Sequence, residues 1–222
     1  MKGEQHLRSA FPCSIDDIRT ESISMKKLTL FIWLTLLCGG VGAVFWYNDW
    51  KYSLPTPVPA NYVQVNMGTP INLPGKVSFT NGKPLFLHFF NPLCPCSRFN
   101  MPHFKSLVQQ YGNNVDFGIV VMSTRNYTPK DIQEKYDLSI PVYFDTTIAV
   151  NCGVYSTPQA VIIDANHKLF FRGNYNKTRY CADKNTEFAR MALDSLVQGH
   201  LVQQFNPLAV KAYGCSLPNC NK

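Results

Sequence analysis

The chain has 222 residues, of which 45% are hydrophobic and 16% are charged, and its formal net charge is +7. A chain of this length is expected to hold one or two domains. Its basic residues are spread along the sequence, and no dense basic run alternates with aromatic residues. The composition therefore gives no support to nucleic-acid binding, and we expect no nucleic-acid partner.

An apolar stretch without a charged residue, residues 28–47, lies near the N-terminus. Its length is enough to cross a bilayer as a helix. Lys26 and Lys27 precede it and Trp50 follows it, which favours an anchor with its N-terminus inside. We expect a single-pass signal anchor in the cell inner membrane, with the following domain on the periplasmic, extracytoplasmic side. A second interpretation is a signal peptide cleaved after Ala43.

The anchor divides the sequence into segments. Residues 1–27 are expected to form a short cytoplasmic segment, with Met25 as an alternative start. Residues 48–60 are expected to be a Pro-rich linker, because prolines alternate there with small residues and favour an extended tether. We expect residues 61–205 to form the folded domain and residues 206–222 to form a C-terminal tail that carries two cysteines.

Apolar runs alternate with helical patterns along the domain region. The predicted strands cover residues 84–90, 115–122, 141–144, 160–164 and 168–172. The predicted helices cover residues 96–111, 129–136 and 183–199. This order predicts an α/β domain with three layers, in which a central mixed sheet is flanked by helices.

The motif Cys94-Pro95-Cys96-Ser97 lies between the first predicted strand and the first predicted helix of the domain. Unpaired backbone N–H groups and the positive end of the helix dipole stabilise a thiolate at such a position. The motif therefore indicates thiol redox chemistry, with Cys94 and Cys96 as candidate catalytic residues.

Four further cysteines follow the anchor outside this motif: Cys152, Cys181, Cys215 and Cys220. Structural disulfides are expected in an oxidising compartment, so each of the four is a candidate for one. A Cys152–Cys181 bridge is one option and a Cys215–Cys220 loop is another. The sequence leaves the connectivity open.

Three segments of the domain region, residues 89–94, 153–164 and 168–173, carry a family likeness. They resemble the thioredoxin superfamily, and especially its membrane-anchored TlpA/ResA-type thiol–disulfide oxidoreductases. The resemblance covers roughly residues 60–200 and implies a thioredoxin-like fold. It also implies a cis Thr157–Pro158 bond, in a loop that faces the cysteine site and pairs with a bound substrate chain like an added strand.

The chain departs from the usual motif, in which two residues separate the cysteines. Ser97 stands at the second cysteine position, and Cys96 lies one place earlier. The resemblance gives Cys94 the exposed nucleophile position and makes Pro158 part of the site, with Thr157 and Ser97 in support. A Cys94–Cys96 bond would close a small, strained ring, and strain raises the reduction potential.

The resemblance implies a mechanism in which the Cys94 thiolate attacks a substrate disulfide and a second thiolate, Cys96 by preference, resolves the mixed disulfide. The implied partners are a protein thiol or disulfide substrate and a membrane or periplasmic redox partner. Beyond the cysteines, no cofactor is expected.

The first alternative is a copper-binding thioredoxin-like chaperone for metal-site assembly. Cys94 and Cys96 are soft ligands suited to Cu(I). His103 is a candidate third ligand, and His88 and His167 are other possible ones. The family resemblance fits this alternative imperfectly, because the copper-binding relatives separate their cysteines by a longer spacing.

Two weaker alternatives remain. The segment around Cys94 faintly resembles the cysteine loop of a peroxiredoxin-like peroxidase, but Asn91 stands where that family places a threonine. The domain also fits a non-catalytic binding module whose disulfides are all structural.

Overall fold

The computed structural model describes residues 25–75, 77, 80, 82–199 and 205–217. The chain divides into two compact units, Met1–Trp46 and Tyr47–Lys222. The expected cytoplasmic segment before Met25 and the tail cysteine Cys220 lie outside the described residues.

The described residues form six α-helices and seven strands. The helices are α1 (Met25–Ser53), α2 (Pro95–Tyr111), α3 (Pro129–Tyr136), α4 (Thr147–Asn151), α5 (Phe188–Val197) and α6 (Pro207–Val210). The strands are β1 (Leu85–Phe90), β2 (Asp116–Val121), β3 (Val142–Tyr143), β4 (Ser156–Thr157), β5 (Gln159–Ile163), β6 (Leu169–Gly173) and β7 (Cys215–Ser216).

Helix α1 contains a stretch, Met25–Lys51, that is long and apolar enough to cross a membrane, with a mean hydropathy of 2.1. The sequence predicted this apolar helix but placed its end at residue 47. The helix instead continues to Ser53 and takes up the first part of the expected linker. The helix ends later than expected because the first proline after the apolar stretch is Pro55, and a proline lacks the backbone N–H that a helix interior needs.

Five strands form one sheet in the order β3–β2–β1–β5–β6, so β1 lies at its centre. The strands β1, β2 and β3 are parallel to one another, and β5 pairs antiparallel with both β1 and β6. All six residues of β1 are buried, as expected for a strand covered on both faces.

Successive residues of β1 face the two layers that cover the sheet. Phe86 and Phe90 pack with apolar residues of α2, α3 and α5. Leu87 and Phe89 pack on the other face with α4 and with Ile71. A central strand leading into a helix, followed by an antiparallel hairpin after a cis proline, makes this a three-layer thioredoxin-like fold, which confirms the predicted architecture.

The predicted strands and the first two predicted helices of the domain lie within one residue of their expected bounds. Helix α3 begins after Thr128, whose side chain forms a capping box with Asp131. The last predicted helix is interrupted: a 3-10 turn over Lys184–Thr186 precedes α5, because Glu187 between them leaves the helical conformation.

The C-terminal segment, residues 205–217, folds against the domain, although the sequence predicted a tail from residue 206 onward. The Asn174 side chain donates to the carbonyl oxygen of Leu208 at 2.8 Å. The Thr56 amide donates to the carbonyl oxygen of Ala212 at 2.9 Å, and its hydroxyl donates to that of Gly214 at 3.2 Å. Thr56 of the expected linker and Asn174, which directly follows β6, therefore hold the C-terminal segment in place.

Candidate functional site

Cys94 lies at the point where the turn after β1 enters α2, and it is the N-cap residue of that helix. The Cys94 amide donates to the carbonyl oxygen of Asn91 at 3.0 Å, and the Leu93 amide donates to the Asn91 side chain at 2.9 Å. Pro95 follows at the first helical position, where its missing N–H costs nothing. The local sequence thus places the Cys94 sulfur at the positive end of a 17-residue helix, which favours a thiolate.

Ser97 supports this turn from inside the helix. Its side chain is fully buried, and its hydroxyl oxygen accepts the backbone N–H of Asn91 at 3.2 Å. The serine at the usual second cysteine position therefore fixes the turn that carries Cys94.

Three cysteines, Cys94, Cys96 and Cys215, pack together in one buried group, the thiol cluster. Cys96 is hydrogen-bonded to both of the others. The exposed fractions of the three residues are 0%, 0% and 2%, in that order. The expectation of an exposed Cys94 is therefore wrong for this structure, because Cys215 from the C-terminal segment packs against the motif.

The hydrogen bonds in the thiol cluster and burial together shift the pKa of Cys96. The hydrogen bond from Cys215 lowers the pKa of Cys96, but the hydrogen bond to Cys94, together with burial, raises it to about 11 overall. A negative charge on Cys94 also raises the pKa of Cys96. Cys96 thus keeps its proton when Cys94 ionises, and it can donate its S–H to the Cys94 thiolate.

The Thr157–Pro158 peptide bond is cis, as the sequence predicted. It connects β4 to β5, and β4 pairs antiparallel with β7. In this pairing Thr157 lies opposite Cys215. The cis-proline loop is therefore linked to the cysteine motif through Cys215.

Gly214 allows this close approach. Its φ is +126°, a conformation that L side chains rarely adopt, and a Cβ at this position would overlap the carbonyl oxygen of Thr157. Sequence reasoning had treated Cys215 as a structural cysteine and missed its place in the site. The glycine directly before it was the signal, since a glycine beside a cysteine suits close backbone contact.

Cys152 and Cys181 are thiols on opposite sides of the sheet. Cys152 packs with Leu87 on one face, whereas Cys181 packs against the layer that includes Phe86. The option of a Cys152–Cys181 bridge is therefore wrong, because the sheet lies between the two sulfurs. Burial raises the pKa of each of these thiols to about 12.

Cys181 is connected to the motif through Asn100. The Cys181 thiol donates to the Asn100 side-chain oxygen at 2.7 Å, and the Asn100 amide group donates to the carbonyl oxygen of Cys96 at 2.9 Å. The other optional bridge, Cys215–Cys220, involves a residue outside the described part of the chain and stays a prediction.

His103 does not join the two motif cysteines. Its Nδ1 lies 3.7 Å from a carboxylate oxygen of Glu187, and burial lowers its pKa. Among the described residues, no three His, Cys, Asp or Glu side chains form a group that could hold a metal ion. The ligand set of the copper alternative, Cys94, Cys96 and His103, is thus not brought together.

The family model for a domain of unknown function, DUF6436, matches residues 64–219. The chain belongs to the DUF6436 family. The matched range contains all three members of the thiol cluster and every strand found in the described residues of this DUF6436 protein. No curated protein matches the chain.

The solved structures that share the fold of this DUF6436 protein include the following two. A hypothetical protein from Sinorhizobium meliloti 1021 is 16% identical, with a TM-score of 0.56 over 71% of this chain and 96% of that chain. An uncharacterized conserved protein from Geobacillus kaustophilus is 18% identical, with a TM-score of 0.51 over 68% of this chain and 93% of that chain. Identities this low establish a common fold alone.

A thioredoxin family thiol:disulfide interchange protein from Chlorobium tepidum TLS is 17% identical to this chain. Its TM-score is 0.42, over 52% of this chain and 81% of that chain, which is too low to establish a common activity.

Proposed function

We propose that this DUF6436 protein is a membrane-anchored, extracytoplasmic thiol–disulfide oxidoreductase in which Cys94 is the nucleophile. One observation carries the proposal. The Cys94 sulfur lies at the N-terminus of α2, hydrogen-bonded to Cys96, in a cluster that β7 connects to the cis Thr157–Pro158 loop.

The reaction follows from the thiol chemistry of this cluster. In a locally open state that exposes the thiol cluster, the Cys94 thiolate attacks one sulfur of a substrate disulfide. A Cys94–substrate disulfide forms, and the other substrate sulfur leaves as a thiolate. Cys96 then loses its proton to solvent and attacks the Cys94 sulfur. This second exchange releases the remaining substrate thiolate and leaves a Cys94–Cys96 disulfide, so two electrons have passed to the substrate.

Supporting residues keep the nucleophile in place. The Ser97 hydroxyl and the Asn91 turn orient Cys94 at the helix N-terminus. The raised pKa of Cys96 disfavours its thiolate, whereas the N-terminus of α2 favours a thiolate on Cys94. Because thiolates are the attacking species, this difference assigns the first step to Cys94 and the resolving step to Cys96.

The proposed location and partners follow from the N-terminal helix and the proposed chemistry. Met25–Lys51 is long and apolar enough to cross a membrane, which supports an inner-membrane anchor, and Lys26 and Lys27 at its start favour a periplasmic domain. The proposed substrate is a protein disulfide or dithiol. A membrane or periplasmic redox partner would return the cysteines to their starting state, and no cofactor besides the cysteines is needed.

Trapping of the mixed disulfide tests the proposal on the full chain in detergent. The reduced Cys96→Ser variant, mixed with a peptide disulfide, is expected to accumulate a peptide adduct on Cys94 that mass spectrometry locates. The Cys94→Ser variant is expected to form none. Cys152→Ser serves as a matched control, because Cys152 is equally buried but lies outside the thiol cluster. If Cys94 forms no peptide adduct in the Cys96→Ser variant, the proposed function is overturned.

A further inference from the structure

The described structure contains a third thiol in direct contact with the cysteine motif, and the two-cysteine reaction leaves it without a role. We propose that Cys215 is a third redox residue, which receives the disulfide bond of Cys96 and releases Cys94 as a thiolate. This inference rests on the proposed function, since it needs a Cys94–Cys96 disulfide as its starting state.

The position of Cys96 carries the inference. Cys96 is the middle member of the thiol cluster, hydrogen-bonded to Cys94 on one side and to Cys215 on the other. A sulfur in contact with two other sulfurs can be exchanged between them without a large movement of either chain segment. Cys215 is only 2% exposed and its sulfur faces the motif cysteines, so the contact is an internal one.

The backbone around Cys215 holds its sulfur at this place. Cys215 pairs with Thr157 across the β4–β7 ladder, and the Leu217 amide donates to the carbonyl oxygen of Tyr155 at 3.2 Å. At the residue before Cys215, the carbonyl oxygen of Gly214 accepts the Thr56 hydroxyl at 3.2 Å. Cys215 is therefore positioned from both sides, as a reacting group must be.

Ring size gives the exchange a direction. A Cys94–Cys96 bond closes a ring with a single residue between its cysteines, and such a bond is strained and easily reduced. A Cys96–Cys215 bond joins distant parts of the chain whose side chains already touch, so it does not require this strain. The bond is therefore expected to pass from the first pair to the second.

The step balances as a thiol–disulfide exchange. Cys215 loses its proton to solvent, and its thiolate attacks the Cys96 sulfur. A Cys96–Cys215 bond forms, the Cys94–Cys96 bond breaks, and Cys94 leaves as a thiolate that α2 stabilises. No electrons are gained or lost by the chain in this step, and a protein dithiol would later reduce the Cys96–Cys215 bond.

The position of the disulfide after one turnover tests the inference. The reduced full chain in detergent is oxidised with one equivalent of dithiobis(nitrobenzoate), quenched, alkylated with iodoacetamide and mapped by mass spectrometry. The expected products are a Cys96–Cys215 disulfide and an alkylated Cys94. In the Cys215→Ser and Cys215→Ala variants, the expected product is a Cys94–Cys96 disulfide with no alkylation at Cys94. Cys220→Ser is the matched control from the same end of the chain and is expected to behave like the wild type.

An equilibrium measurement gives a second readout. In glutathione buffers, loss of Cys215 is expected to make the protein disulfide at least about tenfold easier to reduce, because only the strained pair remains. The inference is overturned if the oxidised wild type contains Cys94–Cys96 alone, or a bond to Cys220, while Cys96→Ser still traps a substrate on Cys94. If Cys94 traps no substrate in Cys96→Ser, the proposed function fails and the inference fails with it.

Discussion

Two buried cysteine environments in this protein differ in what surrounds the sulfur. Cys152 and Cys96 are both fully buried. Cys152 lies among apolar residues such as Leu87, and burial raises its pKa to about 12, with the charge of Arg172 opposing this. Cys96 instead lies between two other thiols, and its pKa is raised to about 11.

The comparison shows that burial does not by itself decide what a cysteine does. Burial raises the pKa of both thiols and so works against the reactive thiolate. The thiol cluster differs because Cys94 lies at a helix N-terminus and because its sulfur neighbours provide exchange partners. An apolar neighbourhood such as that of Cys152 offers only packing.

The largest expected effect is the difference in disulfide-exchange rate between substitutions in the thiol cluster and at Cys152. Cys94→Ser is expected to slow disulfide exchange with a peptide disulfide on the order of a hundredfold or more, because a hydroxyl does not ionise near neutral pH. Cys152→Ser is expected to leave the rate within about twofold of the wild type. Stopped-flow measurement of thiol release on the full chain in detergent provides both rates. Equal losses in the two variants would show that the environments do not differ in reactivity.

The next prediction concerns access to the thiol cluster. Gly214→Ala is expected to displace β7 from β4, because the added Cβ would overlap the Thr157 carbonyl oxygen. Alkylation of Cys94 by iodoacetamide should then become roughly tenfold faster, since a locally open state is more populated. Cys152 should react as slowly as before. Gly75→Ala is the matched control, because the space around Gly75 is open. Unchanged labelling of Cys94 in Gly214→Ala would mean that β7 does not limit access.

The third prediction concerns pH. The unfolded chain ionises Cys152 near its ordinary pKa of 9.0, whereas the folded chain keeps the thiol protonated up to about 12. The contribution of this burial to stability is present below the unfolded pKa and is lost as the pH rises toward 12. The loss amounts to about 1.4 kcal/mol per pH unit in this window.

Denaturant unfolding of the wild type and of Cys152→Ala on both sides of the unfolded pKa measures this contribution. The variant is expected to lose less stability than the wild type as the pH rises. Parallel curves for the two proteins would contradict a raised pKa for Cys152.

The smallest expected effect concerns the turn before Cys94. Ser97→Ala removes the hydroxyl oxygen that accepts the buried Asn91 N–H, and is expected to lower the free energy of unfolding by about 1 kcal/mol. It is also expected to leave Cys94 less firmly held and its exchange rate a few-fold lower. Ser106→Ala, a half-buried serine of the same helix, is the control for denaturant unfolding. If neither the free energy of unfolding nor the exchange rate changes, Ser97 does not support the site.

Most of the sheet and its helices were predictable because each element carries its own local pattern. The run that became β1 is apolar except for His88, and Thr128-Pro129 marks the start of α3. The strands β4 and β7 were not predicted, since Ser156-Thr157 and Cys215-Ser216 contain no apolar run to detect. They exist because two distant backbone segments meet.

The candidate site was also predictable only in part. Cys94, Cys96 and the cis Thr157–Pro158 bond were visible in the sequence as a motif and a family likeness. The sequence did not show that Cys215 packs against the motif or that Cys94 is buried. Cys215 lies more than a hundred residues from the motif, and nothing in its local sequence states which thiols it contacts.

The sequence by itself determined the apolar N-terminal helix, the order of the five main-sheet strands and the longer helices, and the cysteine at the start of α2, because local composition and periodicity encode such features. Only the tertiary structure decided that the C-terminal segment closes over this end of the domain and that Cys96 has two thiol neighbours. Contacts between distant residues depend on how β7 packs beside Thr157, and that packing is settled only when the whole chain has folded.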